Sequence, residues 1–227
     1  METTIANLLE QAAKNNNGII FFDRNGNKEW LSYKELQIQA IKLLGGLQNA
    51  GLTPGSYVVF QFADNLNFLI SFWGCILGGF LPVPLPVCAD DEKSQKLLNV
   101  LALLESPYIL TEEYLFPCVH KFASVNAKLI LLCEKMCTAN MNGKVYNAQP
   151  SDLAMIQFSS GSTGQPKGVQ LTQRNIVSNV HSIVKAAGFH SDDTVLSWLP
   201  LTHDMGLIGA HITAVLLNIN QYILLTY

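Results

Sequence analysis

Charge is scarce in this sequence. Asp, Glu, Lys and Arg make up 14% of its 227 residues, against roughly 25% in an average soluble domain. The charges that exist form no block, and the net charge is −3. A nucleic-acid surface needs a basic stripe or patch, so no nucleic-acid partner is expected. The N-terminus, Met-Glu-Thr-Thr-Ile-Ala-Asn, lacks both a basic n-region and an apolar h-region. It does not read as a secretory leader, and a cytoplasmic location is expected. Cysteines are few, odd in number and scattered: Cys75, Cys88, Cys118, Cys133 and Cys137. Cys133 and Cys137 have no second Cys or His pair at zinc-finger spacing, so no metal site is expected. The five thiols read as reduced core residues.

One stretch lacks charge altogether. Asn65 to Ala89, "NLNFLISFWGCILGGFLPVPLPVCA", is long enough to imitate a membrane span. Gly78-Gly79 and then Pro82, Pro84 and Pro86 interrupt it, and Pro-x-Pro-x-Pro has to be extended. A buried helix followed by a strand is the better reading, so no transmembrane segment is expected.

What is present is alternation. A helix is expected from Ile5, behind Thr3 or Thr4 as cap. Ile19–Phe22 and Lys28–Leu31 flank Asn25-Gly26, a hairpin signal of the type I′ kind. Ser32-Tyr33-Lys34-Glu35 is a capping box opening a helix that stops at Gly51. Strands at Tyr57–Phe62, Leu81–Leu85, Tyr108–Thr111 and Lys128–Leu132 alternate with helices at Leu66–Leu77, Lys93–Leu104 and Glu113–Ala123. Leu153–Phe158 and Val169–Leu171 follow as strands, then a helix from Thr172 to Gly188, then a strand at Val195–Leu199. The pattern predicts an α/β fold of parallel or mixed sheets flanked by helices. Trp73 and Trp198 read as core, and His181 and His211 as packing or surface residues on helices. The polar stretch Cys137–Asp152 reads as a linker, giving an N-terminal α/β subdomain (1–136), a linker (137–152) and a further segment (153–227).

The strand at Leu153–Phe158 runs into "SSGSTGQPKG", Ser159 to Gly168. Gly161, Gly164 and Gly168 let backbone N–H groups approach a ligand. Ser159, Ser160, Ser162 and Thr163 add hydroxyl donors, and Lys167 adds a mobile cation. That set suits a polyphosphate. A solvated Gly/Ser turn is the alternative on composition alone. Three other glycine motifs fail. A Walker loop needs Lys followed by Ser or Thr, but Lys167 is followed by Gly168. A nucleophile elbow needs Gly where Ser160 stands. A dinucleotide fingerprint needs a Gly before Gly161 that is not there.

Residues Ile156–Lys167, "IQFSSGSTGQPK", resemble the phosphate loop of the adenylate-forming superfamily. That superfamily comprises acyl-CoA synthetases, luciferase-like enzymes and adenylation domains of peptide synthetases. "LSYKEL" (31–36), "GLTPGSYVVFQFADN" (51–65), "FWGCILGGFLPVPLP" (72–86) and "SWLPLTHDMGLIGAH" (197–211) resemble its other blocks in the right order. The His-Asp-Met-Gly form, with "NQYILLTY" after it, is most similar to fatty acyl-AMP ligases of lipopeptide and polyketide assembly.

The resemblance implies part of the large N-terminal domain of an acyl-CoA synthetase-like fold. It implies a longer enzyme, because the family's adenine, ribose and C-terminal lysine sites have no counterpart before Tyr227. It implies ATP with Mg²⁺, a fatty acid, and an acyl carrier protein or CoA thiol as acceptor. Ser159, Ser160, Gly161, Ser162, Thr163, Gly164 and Lys167 would hold the β- and γ-phosphates. His203, Asp204 and Gly206 would belong to the substrate site: His203 would contact the carboxylate or α-phosphate and Gly206 would leave room for the acyl chain, while the position of Asp204 next to His203 suits it to cap the next helix rather than to orient the imidazole. Lys167 and His203 are then the catalytic candidates. A fragment or pseudoenzyme that only binds nucleotide or a partner, and an unrelated nucleotide-binding module, stay open as alternatives.

Overall fold

The structure is a computed structural model that describes residues 3–22, 26–123, 127–137, 142–159 and 166–224. Elements follow in the order α1 (Ile5–Ala12), β1 (Gly18–Phe22), β2 (Lys28–Ser32), α2 (Tyr33–Asn49), β3 (Tyr57–Gln61), α3 (Asn65–Gly78), β4 (Leu81–Pro84), α4 (Asp91–Leu103) and β5 (Tyr108–Thr111). A short 3₁₀ turn at Glu113–Leu115 leads into α5 (Phe116–Ala123), β6 (Leu129–Leu132) and the single turn α6 (Cys133–Met136). Then come β7 (Leu153–Ser159), β8 (Lys167–Thr172), α7 (Gln173–Ala187), β9 (Val195–Ser197), a π-helical segment (Met205–Ile212), α8 (Thr213–Leu217) and β10 (Gln221–Ile223).

Local chemistry sets most of these boundaries. Asp64 caps α3 by accepting from Asn67 N at 2.8 Å, and Asp90 caps α4 by accepting from Lys93 N at 2.8 Å. Ser32 caps α2 through Glu35 N, as the sequence predicts. Thr172 accepts from Asn175 N to start α7. Helices α3 and α7 end at Gly79 and Gly188, both left-handed at φ 67°. The uncharged run therefore becomes a buried helix and a strand, as expected. No described helix is long and apolar enough to cross a membrane. The hairpin pairs Ile19 with Leu31 and Phe22 with Lys28. Asn25 of its expected turn lies outside the described residues.

The chain divides into two compact units that are discontinuous in sequence. One holds residues 1–39, 148–152 and 172–227. Its sheet runs β2-β1-β10-β9, with β10 parallel to both β1 and β9 and only β2 antiparallel. Strand β2 is one edge and β9 the other, and Lys28, Glu29 and Trp30 of β2 are exposed.

The other unit holds residues 40–147 and 153–171. Its sheet runs β4-β3-β5-β6, parallel throughout. Beside it, β7 and β8 pair with each other, and β7 lies close along β4. Val59, Val83, Leu85, Leu97, Val100, Ile109, Val119, Ile156 and Phe158 form one buried cluster. Strand β7 is thus fixed by apolar burial, worth about 1.5–3 kcal/mol for each large side chain.

The sequence reading in chain order (1–136, 137–152, 153–227) differs from this division, because β10 returns to β1 across the whole sequence. The polar stretch before β7 is also docked. Lys144 and Gln48 exchange two hydrogen bonds of 2.9 and 2.8 Å, and Tyr146 N donates to Leu77 O at 2.8 Å. Residues 148–152 belong to the other unit. Two expectations on the core need correction. Trp73 is fully buried, but Trp198, in the loop after β9, is 61% exposed. Cys75, Cys88 and Cys133 are buried, whereas Cys118 is half-buried and Cys137 exposed. An apolar residue type does not by itself say which way a loop turns it.

One charge is buried in the second unit. Glu112, fully enclosed after β5, accepts from Ala63 N at 2.9 Å, Asp64 N at 3.2 Å and Asn67 Nδ2 at 3.0 Å. The carboxylate sits at the start of α3, where the helix dipole favours an anion. Glu112→Ala strands three donors and is expected to cost about 2–4 kcal/mol in urea unfolding, with Glu112→Gln milder. Equal midpoints for Glu112→Ala and the unsubstituted chain would contradict this role.

Candidate functional site

Strand β7 carries its core residues Ala154, Met155, Ile156 and Phe158 inward and ends on exposed Ser159. Strand β8 begins on exposed Lys167. The connection the sequence singles out therefore starts and ends at two exposed polar residues, and β7 itself is largely buried. Ser160, Gly161, Ser162, Thr163 and Gly164 lie outside the described residues. At Gly168 a Cβ would come within 2.9 Å of Phe158 Cζ and 3.1 Å of Ile156 Cγ2. Its absence lets β8 rest directly on those two core side chains.

His203 and Asp204 lie between β9 and the π-helical segment, Gly206 is the second residue of that segment, and all three belong to the first unit. The turn is tight: His203 N donates to Pro200 O at 3.0 Å and Leu207 N donates to His203 O at 2.9 Å. The imidazole is displayed to solvent, 76% exposed. Asp204 Oδ1 accepts from Met205 N at 2.8 Å, so its carboxylate caps the segment. Its Oδ1 is 3.8 Å from His203 Nδ1, and with Asp204 67% exposed that contact is worth little. The expectation that Asp204 caps rather than orients is consistent with these distances. A Cβ on Gly206 would lie 2.3 Å from Pro200 O and 2.9 Å from Leu199 O. That crowding requires a glycine in the turn that presents His203. Gly206→Ala is expected to cost about 1–3 kcal/mol of stability and to displace His203. A chemical-shift map of the variant confined to residue 206 would contradict that.

A second histidine does more than pack. His211 is fully buried, and its Nδ1 lies 3.1 Å from Gln221 Oε1. Gln221 Nε2 donates to Tyr33 Oη at 2.9 Å, and Tyr33 OH donates to Ile219 O at 2.7 Å. The direction is forced from one end. A carbonyl only accepts, so Tyr33 donates to it and accepts from the Gln221 amide, which turns Oε1 toward the ring. His211 Nδ1 therefore carries the proton. The sequence signal was a glutamine opening an otherwise apolar strand.

Burial lowers the His211 pKa from 6.5 to about 4, against an opposing hydrogen bond with Gln221. The ring stays neutral when folded and takes a proton more readily when unfolded. Stability tied to it is present above pH 6.5 and is lost as pH falls toward 4, by roughly 3 kcal/mol. Urea midpoints measured from about pH 7 to 4 should fall, and less steeply in His211→Gln. Parallel slopes would contradict the assignment.

Among the described residues no group of three His, Cys, Asp or Glu side chains converges as a metal site. The candidates thus fall into two sets, Ser159 and Lys167 in one unit and His203, Asp204 and Gly206 in the other.

The profile of AMP-binding enzymes matches residues 8–220, and the chain belongs to that family. It is 31% identical over 217 residues to the long-chain-fatty-acid–AMP ligase FadD26 of Mycobacterium marinum, covering 88% of this chain and 37% of that protein. It is 27% identical over 228 residues to aspulvinone E synthetase melA of Aspergillus terreus, covering 96% of this chain and 24% of that one. The adenylation domain of a keto acid-selecting nonribosomal peptide synthetase module, solved with a keto acyl adenylate, superposes with a TM-score of 0.93 at 31% identity. That match covers 99% of this chain and 42% of the solved one. The chain thus spans between 24% and 42% of the length of these relatives.

Proposed function

We propose that this chain is the phosphate-binding part of an ATP-dependent ligase that joins a fatty acid to AMP, releases pyrophosphate, and hands the acyl group to a carrier-protein or CoA thiol. The observation that carries the reading is the segment Ile156–Lys167, mounted between a buried strand and an exposed one in a chain of the AMP-binding family. Ser160, Gly161, Ser162, Thr163 and Gly164, between Ser159 and Lys167, supply the donors for the β- and γ-phosphates. Mg²⁺, were it bound with the nucleotide, would offset the phosphate charge that these donors also face. Exposed Ser159 and Lys167 fit such a ligand, since both are free of the core.

The chemistry needs little beyond positioning. A carboxylate oxygen attacks the α-phosphorus in line and pyrophosphate departs. Lys167 follows the charge on the departing group. His203, held out on its tight turn, donates to the carboxylate or α-phosphate, and Asp204 and Gly206 fix that turn. The fatty-acid preference rests on the His-Asp-Met-Gly sequence and on FadD26. A keto acid-selecting adenylation domain stands at the same 31% identity, so an amino or keto acid is the competing substrate class. The second reading is nucleotide binding without turnover.

Two measurements separate these readings. Binding of a non-hydrolysable ATP analogue with Mg²⁺ is expected to weaken about 10–100-fold in a Lys167→Ala, Thr163→Ala pair, the loss of charge-assisted and neutral hydrogen bonds. Unchanged binding would refute the loop assignment. With ATP, Mg²⁺, a fatty acid and hydroxylamine, a chain extended to the length of the relatives is expected to form hydroxamate. The 227-residue chain alone is expected not to, and turnover by it would remove the binding-only reading.

A further inference from the structure

Two sulfurs meet in the core of the 40–147/153–171 unit. Cys88, in the loop after β4, has its Sγ 3.4 Å from the Sγ of Cys118 on α5. Cys88 is 1% exposed and belongs to the buried cluster, while Cys118 packs on the cluster's margin and is half-buried. Hydrogen bonds aim the two groups at each other. Cys118 Sγ donates to Cys88 O at 2.8 Å. A thiol has a single proton, so the S–H lying between the sulfurs belongs to Cys88. The loop is itself held in place. Cys88 N donates to Gln61 Oε1 at 2.9 Å, and Gln61 Nε2 donates to Pro86 O at 3.1 Å. The sulfurs need to close from 3.4 Å to a bond of about 2.05 Å.

We propose that Cys88 and Cys118 are a redox-sensitive pair that closes to a reversible intrachain disulfide when the protein meets hydrogen peroxide. Cys118 is the entry point, because it is the more accessible of the two. Burial pushes the Cys88 thiol up to about 12, so Cys88 waits as the protonated resolving thiol. Cys118 loses its proton and its sulfur attacks one peroxide oxygen. An S–O bond forms, the O–O bond breaks, and the departing hydroxide takes up that proton as water. Cys88 sulfur then attacks Cys118 sulfur. The S–S bond forms, the S–O bond breaks, and the Cys88 proton leaves with the hydroxyl as a second water. Two thiols give up two electrons and two protons, and one peroxide becomes two waters. The bond joins the loop after β4 to α5 across the cluster that also holds Ile156 and Phe158 of β7.

The test uses the full 227-residue chain carrying Cys137→Ser, which removes the exposed thiol from intermolecular coupling. After hydrogen peroxide, quenching and alkylation in denaturant, peptides are mapped by mass without reduction. The expected result is one peptide pair joined through Cys88 and Cys118, two hydrogens lighter, released by dithiothreitol, with Cys75 and Cys133 still alkylated. Unsubstituted chain should give the same pair, so the result does not hang on the variant. Retention of all thiols, a link through other cysteines, or Cys118 reaching the sulfinic acid while Cys88 remains alkylatable would each overturn the proposal.

Discussion

Strand β10 is the constraint on which the first unit depends. It pairs in parallel with β1 on one side, Ile19 against Gln221, and with β9 on the other, Gln221 against Val195. Parallel neighbours need long connections: the π-helical segment and α8 join β9 to β10, and most of the sequence separates β1 from β10. Without β10, the hairpin β1–β2 and the short strand β9 share no ladder. The same strand places Gln221 between His211 and Tyr33. The polar chain inside this unit and the sheet order are therefore one arrangement. The turn that displays His203 follows directly from β9 and inherits its position from that arrangement.

In the second unit the corresponding constraint is apolar. Ile156 and Phe158 sink into the cluster formed by β3, β4, β5, α4 and α5, and Gly168 brings β8 onto the same two side chains. The low charge content noted at the outset has a physical counterpart here. The parallel sheet has largely buried strands, and α3 is enclosed along nearly its whole length, interior positions from which charge is normally excluded.

Much of the fold was legible because its signals are local. The caps at Ser32 and Thr172, the stops at Gly51 and Gly188, and the helix–strand reading of the uncharged run all depend on neighbours within a few residues. The AMP-binding family was legible in the segment from Ile156 to Lys167 for the same reason. What the sequence hid is long-range. The split of the chain into interleaved units follows from β10 joining β1, a pairing across some two hundred residues. Trp198 was misplaced because its loop, not its residue type, decides its exposure. Within the candidate site, the capping role of Asp204 was readable from its position. The crowding at Gly206 depends on a carbonyl six residues earlier and was not.

The edge strand β2 carries a last consequence. A sheet margin with unpaired amides invites another chain to add a strand, and proteins defend such margins with charge. Lys28 and Glu29 stand exposed at the start of β2, opposite in sign and adjacent. An intruding segment would have to strip water from both before it could complete a ladder. In a chain this short of charge, two charged residues stand on one margin beside exposed Trp30, an arrangement that disfavours strand addition there.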